Sequence, residues 1–149
     1  MLLLILLLLR NLALDSSACS CPAGEYIQGC YVFVADCSDC GQGQYSSSDN
    51  GDRACTSCLP GKYADQNRQS GCKPCAKGFY TPSNAHTRCM RCDGGKYQKP
   101  EGQSGCKPCI AGKYRLRDAD PSSECADCDP GYYVSAPEAV ECNACSPGQ

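Results

Sequence analysis

The nine residues CKPCIAGKY, Cys106 to Tyr114, matter because they recur. CTSCLPGKY starts at Cys55, CKPCAKGFY at Cys72, CMRCDGGKY at Cys89 and CADCDPGYY at Cys125, with an earlier, atypical CPAGEY at Cys21. Each full unit reads Cys-x-x-Cys-x-x-Gly-x-Tyr, then a polar stretch, then the next Cys-x-x-Cys. The second cysteines are Cys40, Cys58, Cys75, Cys92, Cys109, Cys128 and Cys145, in steps of 18, 17, 17, 17, 19 and 17 residues. Self-similarity at a fixed period marks a repeat array, in which each unit is too small to bury a core alone.

Composition points the same way. The chain has 149 residues and 17 cysteines, about 11 per cent, a level that reads as a disulfide scaffold. There is no Trp, and there are only two Phe and two Met. Outside the first 14 residues Leu, Ile and Val are scarce. A large apolar core is therefore excluded, and covalent cross-links that restrict the unfolded chain are the natural substitute. Net charge is -2, with 14 basic and 16 acidic residues intermixed. No basic stripe exists to follow a phosphate backbone, which argues against nucleic-acid binding.

The start of the chain supplies a compartment. Leu2 to Leu9 is an unbroken apolar run interrupted by Arg10. It is far short of the ~20 residues that span a bilayer, and it fits the apolar core of a secretory signal peptide. Ser16 and Ala18 offer small residues for cleavage before Cys19, with a cut near Ala13 as the alternative. A lipoprotein box is disfavoured because Ser16 stands where an aliphatic residue is expected. A buried apolar start of a domain is the non-targeting alternative. Secretion and cysteine density support each other, because disulfides persist in oxidising compartments.

The repeated positions have mechanical roles. Gly24, Gly43, Gly61, Gly78, Gly95, Gly112, Gly131 and Gly148 share one place, where positive φ or close backbone approach is expected. Tyr26, Tyr45, Tyr63, Tyr80, Tyr97, Tyr114 and Tyr133 follow two residues later. Each ring is expected to lie over a disulfide with its hydroxyl in water, as the miniature core of its unit. A ladder of exposed aromatic ligand contacts is the functional alternative. The polar stretches SSSDNGDRA, ADQNRQSG, TPSNAHTR and QKPEGQSG are rich in turn formers and read as loop tips. No helical periodicity is visible, and strands of two to four residues are expected near each Gly-x-Tyr. The expected fold is an elongated array of short β-hairpin and loop units in which each unit touches only its neighbours.

Pairing by shortest loops links each second cysteine to the first cysteine of the next Cys-x-x-Cys. That gives Cys21–Cys37, Cys40–Cys55, Cys58–Cys72, Cys75–Cys89, Cys92–Cys106, Cys109–Cys125 and Cys128–Cys142, each enclosing 13 to 15 residues. A loop of ~15 residues is worth roughly 3 kcal/mol in the chain-entropy model. Cys19 and Cys30 remain to pair with each other, and Cys145 is left over. A staggered scheme with bridges between units is the rival. The sequence reaches CSPGQ one residue before the expected tyrosine, so a fragment of a longer protein is expected, with Cys145 paired to a downstream cysteine. The domain division is 1–18 signal peptide, 19–39 atypical capping repeat, 40–144 tandem repeats, and 145–149 the start of a truncated further repeat.

The frame CxxCxxGxY at this pitch resembles the ephrin-receptor-like cysteine-rich repeats, and is similar in pattern to the small modules of tumour necrosis factor receptors and growth-factor-receptor cysteine-rich regions. The resemblance covers about residues 19 to 149. It implies an extracellular, rod-like array within a larger secreted or membrane-anchored protein. It implies no kinase, because neither HRD nor DFG occurs. Protozoan variant surface proteins rich in CxxC also look similar, but the regular Gly-x-Tyr fits the first group better. The first unit departs from the pattern, with CSC at Cys19 and the extra segment GCYVFV, Gly29 to Val34.

Other chemistries compete with this. C-x2-C-x14-C-x2-C from Cys37 to Cys58 has zinc-ligand spacing, but each pair has equal neighbours on both sides, so no closed cluster is defined. CKPC at Cys72 and Cys106 matches redox motifs by letters, without their strand-to-helix context. His86, the one histidine, lies in a polar stretch and reads as a solvated loop residue. DADPSSE from Asp118 lacks the graded spacing of a calcium loop. No Asn-x-Ser/Thr sequon is present. No catalytic residue, metal ligand or cofactor is therefore expected. A non-enzymatic surface spacer or display stalk is the first functional expectation. A module whose loops recognise an extracellular protein or glycan is the second, and an array of four-cysteine zinc sites the third.

Overall fold

In a computed structural model the chain is described for residues 19–31, 34–47, 54–122, 124–146 and 148. The expected signal peptide, 1–18, lies outside the described residues, as do Val32, Phe33 and most of the first polar stretch. The described residues form no helix. They form seven two-stranded antiparallel sheets, each a hairpin of consecutive strands. The first is β1 (Glu25–Tyr31) with β2 (Val34–Asp39). The second is β3 (Gln44–Tyr45) with β4 (Thr56–Ser57), and the third β5 (Lys62–Tyr63) with β6 (Lys73–Pro74). Then come β7 (Phe79–Tyr80) with β8 (Met90–Arg91), and β9 (Lys96–Tyr97) with β10 (Lys107–Pro108). The last two are β11 (Lys113–Tyr114) with β12 (Ala126–Asp127), and β13 (Tyr132–Tyr133) with β14 (Asn143–Ala144). The fold is a small disulfide-rich repeat of β-hairpin units.

Local chemistry explains the unit. Between one bridge and the next strand the backbone makes a turn, such as Leu59-Pro60-Gly61-Lys62, closed by the Lys62 N–H on the Leu59 carbonyl at 3.0 Å. Gly61 has φ +83°, the value a type II turn needs at its third residue, and Pro60 supplies the fixed φ favoured at its second. Two strand residues follow, Lys62 opposite Pro74 and Tyr63 opposite Lys73. The Cys75 N–H then donates to the Gly61 carbonyl at 2.8 Å and closes the hairpin. Strands this short cannot stand alone in water. The first hairpin is longer, with seven- and six-residue strands and a register shift between Ile27 and Gly29. The strand-forming run through Tyr26, Ile27, Tyr31 and Val34 accounts for it, and it exceeds the expected two to four residues.

The hairpins interlock. The glycine N–H of one hairpin donates to the carbonyl after the tyrosine of the next: Gly43 to Ala64 (2.8 Å), Gly61 to Thr81 (3.0 Å), Gly78 to Gln98 (2.7 Å) and Gly95 to Arg115 (2.8 Å). A second bond in the same direction runs from the N–H after a tyrosine to a carbonyl in the next hairpin's loop, as Ala64 to His86 (3.1 Å) and Arg115 to Ala139 (3.1 Å). A third bond skips a hairpin. The loop N–H groups of Arg68, Ala85, Gly102 and Glu138 donate to the carbonyls of Cys40, Cys58, Cys75 and Cys109, at 2.8–2.9 Å. Units therefore touch the next but one, which the neighbour-only expectation missed. The cost is visible at Arg68, Ala85 and Glu138, non-glycine residues held at φ +60° to +61° so that the loop can reach back.

The core is a narrow column. Cys21, Cys40, Cys58, Cys75, Cys92 and Cys109 are buried, together with Ser46, Ala64, Thr81, Gln98 and Arg115. These last five each follow a repeat tyrosine. Successive strand residues face opposite sides, so the residue after the tyrosine points inward and the tyrosine sits at the edge.

Candidate functional site

The chemistry-bearing residues of this chain are its cysteines. The structure joins Cys19–Cys30, Cys21–Cys37, Cys40–Cys55, Cys58–Cys72, Cys75–Cys89, Cys92–Cys106, Cys109–Cys125 and Cys128–Cys142, with Cα separations of 5.6–6.1 Å. Seven of these are the ladder pairs and Cys19–Cys30 joins the two cysteines left over, and no bridge crosses between units in the staggered way. Burial is asymmetric. In the middle of the array the second cysteine of each Cys-x-x-Cys lies in the column, as Cys58, Cys75, Cys92 and Cys109 do, while their bridge partners Cys72, Cys89, Cys106 and Cys125 are half-buried, as is Cys128. Cys145 carries a free thiol and is half-buried.

The repeat residues divide. Gly61, Gly78 and Gly95 are buried, whereas Gly112 and Gly131 are exposed. A Cβ on Gly61 or Gly95 would collide with the loop carbonyl of Gly102 or Glu138, two hairpins on, and one on Gly78 would lie 2.6 Å from the Pro121 carbonyl carbon. A Cβ on Gly112 or Gly131 meets nothing within 4 Å. Tyr63, Tyr80, Tyr97 and Tyr114 are half-buried and Tyr133 is half exposed, so none is the sealed centre of its unit. Three of the tyrosines instead line notches between successive hairpins. Tyr63 shares one of about 340 Å³ with Phe79, Arg88 and Cys89. Tyr97 shares one of about 220 Å³ with Ile110, Lys113, Glu124 and Cys125. Tyr114 shares one of about 230 Å³ with Asp129, Tyr132, Glu141 and Cys142. In each, the disulfide belongs to the hairpin after the tyrosine's own.

Arg115 was hidden from motif reasoning, because the repeat frame fixes nothing after the tyrosine. It is 2% exposed. Its guanidinium meets carbonyls: Nε donates to Lys96, Nη1 to Ala119 at 3.0 Å, and Nη2 to Cys92 at 3.0 Å and to Asp93. Burial, then the Arg91 guanidinium, lowers its pKa below the ordinary guanidinium value. The carbonyl dipoles compensate the buried charge. Arg115 thereby gathers the loop that carries the two additional residues of the 19-residue step, with Arg91 donating to the Ala119 carbonyl at 2.7 Å.

Some of the surface charges form ion pairs. Lys73 binds Asp65 at 2.8 Å, Lys99 binds Glu124 and Lys113 binds Asp127, both at 2.5 Å. Two pairs skip a hairpin: Arg68 with Glu25, and Lys96 with Glu138 at 3.2 Å. The Lys73 hydrogen bond holds the Asp65 carboxyl below its ordinary 3.8, and the Lys99 hydrogen bond does the same for Glu124. Asp120 accepts from the Ser122 N–H and hydroxyl at 2.9 and 2.8 Å, a local turn that also lowers its pKa. His86 Nε2 lies 3.0 Å from Ser83 Oγ, and its carbonyl belongs to the interlock. Among the described residues no three His, Cys, Asp or Glu side chains are grouped to hold a metal ion. Nor is any helix long and apolar enough to cross a membrane.

No protein-family model matches the chain, and no curated protein matches it.

Proposed function

We propose that this chain is a non-enzymatic cysteine-rich region that acts as a rigid spacer or display stalk at a cell surface or outside the cell. Disulfide bonding on this scale fits an extracellular or secreted protein. The observation that carries the mechanical role is the interlock. A bend between two hairpins must break backbone bonds to the next unit and to the next but one. An array cross-linked within each unit and bonded across two units resists bending while exposing long polar loops. The frame also places the chain, in our proposal, with the ephrin-receptor-like repeats that it resembles.

Small-angle X-ray scattering of the oxidised chain tests the spacer. The expected result is a skewed distance distribution and a radius of gyration well above the ~15 Å of a compact protein of this length. A value near ~15 Å overturns it. The notches favour a second function, recognition of an extended protein or glycan, because each offers a tyrosine edge beside charged groups. Substituting Tyr63, Tyr97 and Tyr114 together by Leu would abolish cell-surface or matrix binding under recognition and leave it unchanged under spacing.

A further inference from the structure

The small net charge conceals a segregation along the chain. Residues 62–117 carry twelve Lys or Arg and three Asp or Glu, a net charge of +9. Residues 19–61 carry one Arg and five Asp or Glu, and residues 118–149 carry seven Asp or Glu and no Lys or Arg. Basic and acidic residues are therefore not intermixed, as their totals suggest. The basic band falls on the third, fourth and fifth hairpins and the start of the sixth. Ion pairs use part of it, as Lys96, Lys99 and Lys113 reach acids of the sixth and seventh hairpins. Lys62, Lys77, Arg88, Arg91, Lys107 and Arg117 are exposed and form no ion pair with a described residue.

The three notches are equivalent in position and differ in charge. The residue before a first cysteine lines each of two of them and stands at the same place in the third. It is Arg88 between the third and fourth hairpins, Glu124 between the fifth and sixth, and Glu141 between the sixth and seventh. The Arg88 notch is the largest of the three, about 340 Å³, at the low end of ligand-pocket size. Two aromatic rings, Tyr63 and Phe79, line it with Ala76. The one carboxylate in its lining, Asp65, is held by Lys73 at 2.8 Å. The Arg88 guanidinium is left with an uncompensated charge beside an apolar wall. Such a site suits a ligand with an apolar face and an anionic edge.

We propose that this notch binds a sulfated sugar of a glycosaminoglycan chain, which continues over the basic band. The C–H face of the sugar ring packs on Tyr63 and Phe79, and sulfate oxygens accept from the Arg88 guanidinium, whose fork matches such an anion. Lys77 and Lys107, exposed on the fourth and fifth hairpin units, attract the neighbouring sulfates. The acidic flanks confine contact to the central hairpins. A sulfated glycan is favoured over a nucleic acid because the disulfide ladder fits an oxidising space outside the cell. The inference rests on the recognition reading of the notches and leaves the spacer reading untouched.

Calorimetric titration of the oxidised chain with a size-defined heparin oligosaccharide tests it. Arg88→Gln and Asn143→Asp each lower the net charge by one, the first at the notch and the second at an exposed position on the seventh hairpin. Arg88 is exposed and unpaired, so its replacement leaves the fold intact. Binding is expected to weaken about tenfold in Arg88→Gln, as for one lost charge-assisted contact, and by less than about twofold in Asn143→Asp. The slope of log affinity against log salt concentration is expected to fall by about one in Arg88→Gln alone. Phe79→Leu keeps the charge and removes the ring, and is expected to weaken binding about threefold at an unchanged salt slope. Equal losses in Arg88→Gln and Asn143→Asp, which mean attraction by net charge alone, overturn the proposal. So does equal affinity for a single-stranded oligothymidylate of matched charge. A chain that adheres to cells or matrix but does not bind the oligosaccharide overturns the sulfated sugar and leaves recognition standing. Failure of both overturns recognition as well.

Discussion

Gly95→Ala and Gly112→Ala are the same change at the same repeat position with different predicted costs. Both glycines hold positive φ, +74° and +82°, so each alanine incurs roughly 1–2 kcal/mol of left-handed strain. Gly112→Ala stops there, because nothing lies within 4 Å of the new Cβ. At Gly95 the Cβ collides with the Glu138 carbonyl, which is backbone and cannot swing aside. The seventh hairpin's loop must withdraw, and two bonds go with it: Glu138 N–H to the Cys109 carbonyl and Arg115 N–H to the Ala139 carbonyl. At a net 0.5–1.5 kcal/mol each, they add about 2 kcal/mol. The difference between the variants is therefore about 2 kcal/mol, or roughly 30-fold in a local opening constant. Amide hydrogen exchange on the oxidised protein reads it directly. The Glu138 and Arg115 amides are expected to exchange roughly 30-fold faster in Gly95→Ala than in Gly112→Ala. Equal protection of those amides in the two variants would refute the skipping contact between hairpins.

Ala85→Gly tests the loop strain from the other side. It relieves a residue at φ +60° and is expected to be neutral or to stabilise by up to about 1 kcal/mol in thermal unfolding, where an ordinary Ala→Gly change destabilises. Arg115→Lys leaves the Cys92, Asp93 and Lys96 carbonyls short of donors and is expected to cost about 3 kcal/mol, with faster exchange of amides near residues 93–96. Lys73→Ala is expected to move the Asp65 pKa upward, toward its ordinary value, in an NMR titration, because the Lys73 hydrogen bond is the largest cause of its depression. Because the folded pKa of Asp65 is depressed, the pair stabilises the fold above the ordinary carboxylate range. That contribution disappears as pH falls through the folded value, so the variant and parent converge in strong acid.

Much of this was legible because the repeat repeats. The Gly-x-Tyr spacing set the hairpin start, the ladder of short loops gave seven of the eight bridges that the structure contains, and the two remaining early cysteines gave Cys19–Cys30. What the frame left invisible was contact between units two apart, since that depends on how far a loop folds back. Arg68, Ala85 and Glu138 share no residue type, only a backbone conformation. Gly102, at the same place in the fifth hairpin, was the one hint. The buried column was misplaced by one residue, from the tyrosines to the residues after them. Ser46, Ala64, Thr81, Gln98 and Arg115 look unrelated in sequence because their shared duty falls on the main chain. The longer first hairpin was visible only as a departure from pattern.

The most direct measurement is peptide mapping of the unreduced protein, with intact mass before and after reduction. The account predicts eight bridges, with Cys58–Cys72, Cys75–Cys89 and Cys92–Cys106 found as linked peptides and one thiol at Cys145. Bridges joining cysteines of different hairpins, or free thiols throughout with bound zinc, would contradict it.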